Sequence, residues 1–167
     1  MPRVLAVAGF KDSGKTSVVE TLVEELDLRG YRVGTVKHIS QENFSIDEEG
    51  TDTWRFKEAG SKRTVALSPE EAAFLESGPH DLEDIIFRMA DLDFIILEGF
   101  RDSERFPKLM VADNQEEATE LDDHFTIGFV NCGVDNKPVF DFEDSDELTD
   151  LAEERAVIFV KDDICRD

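Results

Sequence analysis

The chain has 167 residues, 40% hydrophobic and 35% charged, a length that suits one domain with a core that needs no disulfide or metal staple. Its 40 Asp and Glu against 18 Lys and Arg give a formal net charge of −22, a field that repels nucleic acid and anionic membranes and argues against both as partners. Cys132 and Cys165 share no metal-binding spacing and read as free thiols of a reducing compartment. Met1-Pro2-Arg3 runs straight into an apolar stretch, leaving no room for a signal peptide, and no apolar run approaches the ~20 residues of a membrane span, so a cytoplasmic location is expected.

The first apolar run, Val4 to Ala8, reads as a strand. It leads into Gly9-Phe10-Lys11-Asp12-Ser13-Gly14-Lys15-Thr16 and then an amphipathic helix, with Val18, Val19, Leu22, Val23 and Leu26 at helical spacing and Gly30 as its stop. Strand, Gly-rich loop and helix in that order match G-x-x-x-x-G-K-[ST], the phosphate-binding P-loop. Such glycines let successive N–H groups turn toward phosphate oxygens beside the positive end of the helix dipole. Gly9, Lys11, Asp12, Ser13, Gly14, Lys15, Thr16 and Ser17 are therefore the candidate phosphate-binding residues. Lys15 would face the β- and γ-phosphates, and Thr16 would ligate Mg²⁺.

Arg32 to Lys37 reads as a second strand. Ligands of parallel α/β sheets collect at carboxyl strand ends, which puts Lys37 near the phosphates unless it is simply a solvated strand-end lysine. Residues 39–51 form a long polar loop in which Asp47 and Asp52 are candidates for the Mg²⁺ shell. Asp52 is also a candidate cap for a short helix, Thr53 to Ala59, closed by Gly60. Lys62 to Leu67 is a strand, Glu70 to Glu76 either a helical turn or a short antiparallel strand, and Asp81 the cap of a helix with Leu82, Ile85, Ile86, Met89 and Ala90 as its core stripe.

Phe94 to Leu97 is a continuous apolar run, the mark of a parallel strand buried on both faces. Glu98 closes it at the ligand end and is the acid expected to act on Mg²⁺ or its water, whereas Asp93 marks strand entry. Arg101, Arg105 and Lys108 concentrate positive charge in a loop that reads as anion-facing. Leu109 to Ala112, Thr126 to Val130 and Ala156 to Val160 are further strands, with Asn114 to Asp123 a polar connection. Asn131-Cys132-Gly133 lies at a carboxyl strand end where a base could sit, Asp135 to Pro138 is a turn, and Ser145 caps a last helix whose Leu148, Leu151 and Ala152 face the core. The predicted fold is an open α/β, three-layer P-loop NTPase with a mainly parallel central sheet and helices on both faces, residues 1–167 as one domain.

In order and spacing, the P-loop, Val33-Gly34-Thr35-Val36-Lys37-His38, Asp47-x-x-Gly50-x-Asp52-Thr53-x-Arg55, Ala59-Gly60, Phe94 to Arg101 and Pro107-Lys108 resemble the molybdopterin-guanine dinucleotide biosynthesis protein B (MobB) family, P-loop GTP-binding proteins related to signal-recognition and metallochaperone GTPases. The resemblance implies GTP with Mg²⁺, feeble hydrolysis, a homodimer, and an accessory role toward the molybdopterin guanylyltransferase, either binding or delivering the nucleotide to it or helping to handle the molybdopterin cofactor. It places Gly14, Lys15 and Thr16 on phosphates and Mg²⁺, puts Asp47 and Glu98 near the metal, and includes Lys37, Arg101 and Lys108 in matching motifs. Lys15 and Glu98 are then the candidates for catalysis. Asn131-Cys132 departs from the Ser-Asp-like pair of many relatives, so guanine preference rests on the family. Two other readings compete: a small-molecule kinase with an Arg-containing lid, and a metallochaperone-type GTPase, against which three scattered histidines and two distant cysteines argue.

Acids spread through the whole chain suggest a surface adapted to high salt. The urea midpoint is then expected to rise between 0.1 and 2 M KCl, as screening relieves self-repulsion, at about those concentrations; a flat or falling midpoint contradicts the idea.

Overall fold

The structure, a computed structural model, describes residues 1–42 and 44–161. Its elements in chain order are β1 (Arg3–Gly9), α1 (Lys15–Leu28), β2 (Val33–Lys37), α2 (Asp52–Glu58), β3 (Arg63–Leu67), β4 (Ala72–Glu76) and α3 (Leu82–Arg88). There follow β5 (Phe94–Glu98), β6 (Lys108–Ala112), α4 (Gln115–Leu121), β7 (Thr126–Asn131), β8 (Val139–Phe140), α5 (Ser145–Arg155) and β9 (Val157–Ile158). The chain forms two compact units, one of Met1–His38 with the chain from Glu83 onward, the other of Ile39–Leu82.

In the larger unit the strands order as β2-β5-β1-β6-β7-β8, every neighbour parallel, while β9 runs antiparallel along Arg3 and Val4. This is the expected parallel α/β sheet. Period-2 alternation distributes the side chains of its central strands between two cores. Leu5, Val7, Phe94, Ile96, Leu109 and Val111 meet Val18, Leu22 and Leu26 of α1 and Leu148 and Ala152 of α5. On the other face Ala8, Met110, Ala112 and Phe129 meet Ala118 and Leu121 of α4. Arg29 joins α1 to α5 by pairing with Asp150 at 2.7 Å and Glu153 at 2.6 Å. Those contacts push its guanidinium pKa up, the Asp150 hydrogen bond first. Asp93 has the strand-entry role read from the sequence: it accepts from the Arg32 N–H at 2.9 Å, which holds its carboxyl below the usual range.

The smaller unit pairs β3 with β4 antiparallel, from Arg63↔Glu76 to Leu67↔Ala72, which settles 70–76 in favour of a strand. Its helix α2 is capped by Thr51, whose hydroxyl accepts from the Trp54 N–H, rather than by Asp52, which is the first helical residue. A hydroxyl in extended backbone reaches the third N–H as well as a carboxylate does, so adjacent Thr and Asp compete for the place.

Elsewhere in the larger unit, Ser145 likewise begins α5 with Asp144 at the cap position, so it is not the cap. The stretch 114–123, read as an irregular connection, contains α4. Asn114 accepts from the Glu117 N–H at 3.0 Å, and Glu117 reaches back to the Asp113 N–H at 3.0 Å, much as in a capping box. Cys132 is a free, half-buried thiol, and Cys165 lies outside the described residues.

Lys108 is the most informative departure. It is 1% exposed, at the amino end of β6 opposite Ala6, and its ammonium donates to the carbonyls of Arg101 (2.8 Å) and Ser103 (3.0 Å) and to Asp123. The sequence suggested an anion-facing lysine; the structure encloses it as the anchor of the 101–103 backbone. Burial pushes the Asp123 carboxyl up, but the Lys108 ammonium and the Thr126 hydroxyl outweigh it and hold the group below its ordinary value. Its contribution is thus present above the ordinary aspartate pKa and lost as pH falls through the lower folded value. Asp123→Ala, which strands the lysine, is expected to cost about 2 kcal/mol at pH 7, less than a fully buried pair because Asp123 is 40% exposed. Lys108→Met should cost less. In urea titrations the Asp123→Ala deficit should shrink below about pH 4; a deficit independent of pH contradicts this account.

Candidate functional site

Every element of the candidate site described here belongs to the larger unit. β1 delivers Gly9 to the loop, and packing shows why only glycine fits: a Cβ there would stand 2.4 Å from the Val111 carbonyl oxygen and 2.8 Å from the Ser13 hydroxyl. Past it, Asp12 at φ 63 and Gly14 at φ 91 adopt left-handed backbone that bends the chain into α1. Lys15 folds back so that its ammonium donates to the Phe10 carbonyl, across the loop. Lys11, Asp12, Thr16 and Ser17 are exposed, while Ser13 is 3% exposed and its buried hydroxyl has no hydrogen-bond partner among the described residues. An orphaned hydroxyl carries a desolvation cost of roughly 1–3 kcal/mol unless something polar occupies the loop.

α1 starts without a side-chain cap and without an acid in its first turn. α2, α3, α4 and α5 each carry at least one acid there. In a chain of formal charge −22 that exception leaves the first N–H groups and the positive dipole end of α1 open to an external anion.

The parallel register sets the rest. Lys37 and Val7 stand on either side of Glu98 in the β2-β5-β1 ladder. Glu98 Oε1 accepts from Lys37 Nζ at 2.6 Å and from Thr16 Oγ1 at 3.3 Å. These three side chains line one end of a cavity of about 580 Å³ bordered by α1 and β2. Beyond Glu98 the chain turns sharply at Gly99, φ 92, and Phe100, φ 53, with the His38 N–H donating to the Glu98 carbonyl and the His38 ring 5.1 Å from that of Phe100. The turn sends Arg101 back over the loop, its guanidinium carbon 5.3 Å from the Phe10 ring centroid.

The structure therefore groups Gly9, Ser13, Gly14, Lys15, Thr16, Lys37, Glu98 and Arg101 and leaves Lys108 outside. Asp47 belongs to the smaller unit. Its Oδ1 accepts from the Thr51 and Thr53 hydroxyls at 2.9 and 2.7 Å, and its buried Oδ2 has no partner among the described residues. Asn131, considered as a base neighbour, donates instead to the Ala112 carbonyl at 3.1 Å. Sequence reasoning missed Phe10 as the platform for Arg101 and Phe142, whose ring would lie 2.8 Å from a Cβ on Gly14. No spacing rule marks either one. Oxygen donors at Thr16 and Glu98 are the hard ligands Mg²⁺ takes, and the loop amides with the Ser13 hydroxyl suit phosphate, so the residues fit Mg²⁺ and a polyphosphate.

Residues 4–131 match the family model described as molybdopterin guanine dinucleotide synthesis protein B. A molybdopterin-guanine dinucleotide biosynthesis adapter protein of Haemophilus influenzae is 30% identical over 159 residues, covering 90% of this chain and 87% of that protein. A similarly described protein of Methanocaldococcus jannaschii is 34% identical over 127 residues, 73% of this chain, and the match spans 52% of that relative's length. The crystal structure of Bacillus subtilis MobB superposes with a TM-score of 0.77 at 23% identity, covering 93% of this chain and 98% of that one. A MobB homologue from Bacillus stearothermophilus superposes at 0.67 with 25% identity, covering 90% and 96%.

Gly9→Ala should lower the urea-derived stability by about 2 kcal/mol, the cost of forcing a methyl into packed backbone. It should also abolish calorimetric binding of inorganic triphosphate. Gly30→Ala, at φ 88 where a Cβ meets nothing within 4 Å, isolates the cost of left-handed backbone without a clash and should keep triphosphate binding. Wild-type behaviour of the Gly9 variant would contradict the close-packing account of the loop.

Proposed function

The chain belongs to the molybdopterin guanine dinucleotide synthesis protein B family, and from that premise we propose that it is a GTP-binding adapter in the assembly of that dinucleotide. It binds GTP with Mg²⁺ in the loop and presents the nucleotide to a guanylyltransferase, with molybdopterin the second component of that encounter and a homodimer the acting form in the cytoplasm. One observation carries the nucleotide half of this reading: the Thr16 hydroxyl and the Glu98 carboxylate converge at 3.3 Å beside a loop whose buried Ser13 hydroxyl has no partner among the described residues.

Bound Mg²⁺ would offset negative charge on the phosphate oxygens. Thr16 and Glu98 would hold it, Glu98 directly or through a water. The loop N–H groups and the free first turn of α1 orient the phosphates, and Lys15, released from the Phe10 carbonyl, supplies the nearest mobile cation. Arg101, laid on Phe10 from the neighbouring turn, adds a second positive group at the loop mouth. Glu98 is the one carboxylate among the grouped residues, and its Oε1 is engaged by Lys37 and Thr16, which suits a binder with at most slow hydrolysis. Guanine is proposed as the base because the relatives are named for a guanine dinucleotide; Asn131, whose amide is engaged by the Ala112 carbonyl, lends it no support.

The kinase reading loses support from the same contacts. The cations that could form its lid are Arg101, Arg105 and Lys108, and Lys108 is enclosed. Arg105 donates to the Val160 carbonyl at 2.7 Å and pairs with Glu83.

Calorimetric titration with GTP and ATP, with and without Mg²⁺, tests the proposal. Wild type should bind GTP in a Mg²⁺-dependent manner, and Lys15→Ala should weaken that binding by about a hundredfold or more, the scale of a lost charge-assisted contact. Equal binding by the variant, or no nucleotide binding by wild type, overturns it. Added to the guanylyltransferase, the GTP-loaded chain should raise the yield of dinucleotide, and Lys15→Ala should not.

A further inference from the structure

Lys37 sits where a divalent ion would have to approach Glu98. Its ammonium is 2.6 Å from Oε1, the same oxygen that accepts from Thr16 Oγ1 at 3.3 Å. Glu98 is 12% exposed, so its charge is poorly served by water and must be met by a neighbour. Lys37 is 56% exposed on a flexible four-carbon stem, so only its tip is committed, while the register with Glu98 fixes its backbone. An exposed pair of this kind is ordinarily worth little. Here, however, the acceptor is largely buried and shared with the hydroxyl that would ligate the metal. An ammonium at this distance and a divalent ion on the same carboxylate oxygen compete, because the two cations repel across a few ångströms.

We propose that Lys37 is a tethered counter-ion that occupies the metal-facing oxygen of Glu98 and gives it up only when a triphosphate offers the ammonium a new partner. Metal entry is thereby coupled to nucleotide entry. Without nucleotide, Lys37 keeps divalent ions from settling on Thr16 and Glu98, which an acidic chain of net charge −22 would otherwise invite. With a triphosphate in the loop, the ammonium moves to phosphate oxygen and the vacated carboxylate accepts the ion. Lys37 is in this sense a positioning residue: it changes the affinity of the ion without ligating it. The nucleotide half of the coupling rests on the proposed GTP binding; the competition between Lys37 and the ion does not.

Mn²⁺, which takes the same oxygen ligands and is visible by electron paramagnetic resonance, is the probe. In titrations of the nucleotide-free full chain, Lys37→Met should bind Mn²⁺ about tenfold more tightly than wild type, within the usual range of coupling between sites. The gain should vanish in Lys37→Met combined with Glu98→Gln. Lys62→Met, which removes an exposed charge in the smaller unit, should leave Mn²⁺ binding unchanged. Adding GTP should raise the Mn²⁺ affinity of wild type toward that of the variant. Equal affinity of wild type and Lys37→Met without nucleotide, a gain that survives Glu98→Gln, or an equal gain from Lys62→Met overturns the inference. If wild type binds no GTP, the proposed function fails on that arm, and the nucleotide-free comparison still decides the role of Lys37.

Discussion

Parallel pairing of β2 and β1 with β5 places Lys37 and Val7 level with Glu98, and the chemistry of the larger unit depends on that row. Glu98 ends an otherwise fully buried strand, so its position is set by the packing of Phe94, Ile95, Ile96 and Leu97, none of which is exposed. β1 holds the loop level with it through the bond from the Gly99 N–H to the Val7 carbonyl, at 2.9 Å. A one-residue slip of β5 would turn Glu98 toward the opposite face and place an apolar side chain opposite Thr16. Two cores, one on each face, make such a slip costly, so the site inherits its precision from ordinary apolar packing.

Charge imposes the second constraint. The nucleotide proposed for the loop would have to be gathered against the field of 40 acids, and the cations divide by task. Arg29 and Lys108 are engaged in joining elements: α1 to α5 in the first case, and the 101–103 backbone to Asp123 in the second. Lys15, Lys37 and Arg101 stand near the loop instead, and their present partners (a carbonyl, a carboxylate, and an aromatic face with the exposed Asp102) could be exchanged for phosphate. The missing acid in the first turn of α1 belongs to the same arrangement, since one carboxylate there would occupy the dipole end that the proposed nucleotide would use.

The features legible in the sequence were those that a single local pattern determines. Glycine at 9 and 14, the apolar run ending in Glu98, and the helical stripe from Val18 to Leu26 each follow from one steric or periodic rule, and each holds in the structure. What escaped depended on partners distant in sequence. Lys108 follows a proline beside two arginines and reads as surface charge; only the fold brings Asp123 and two carbonyls around its ammonium. α4 was hidden by composition, since five of its seven residues are polar or charged and only Ala118 and Leu121 are buried. Asn114 followed by Glu117, with Ala118 and Leu121 three apart, was the signal that could have revealed it. The caps were displaced by one residue: the Thr51 hydroxyl takes the Trp54 N–H ahead of Asp52, whereas Asp144 holds the cap position of α5 with its carboxylate turned to the Asp141 N–H.

The strand that carries the loop is made early and completed late. Val4 pairs with Ile95 on one edge and Val157 on the other, and Gly9 lies across from Val111. During synthesis at ~5–20 residues per second, β1 waits roughly 5–20 s for its first ladder partner in β5. Through that interval its unbroken apolar run is an open strand, the kind of segment that recruits other chains. Self-repulsion by the acids that follow, in α1 and the 39–82 segment, is available to keep nascent copies apart at that stage. The charge that makes phosphate harder to attract would then serve the unfinished chain before the finished one has a ligand to bind.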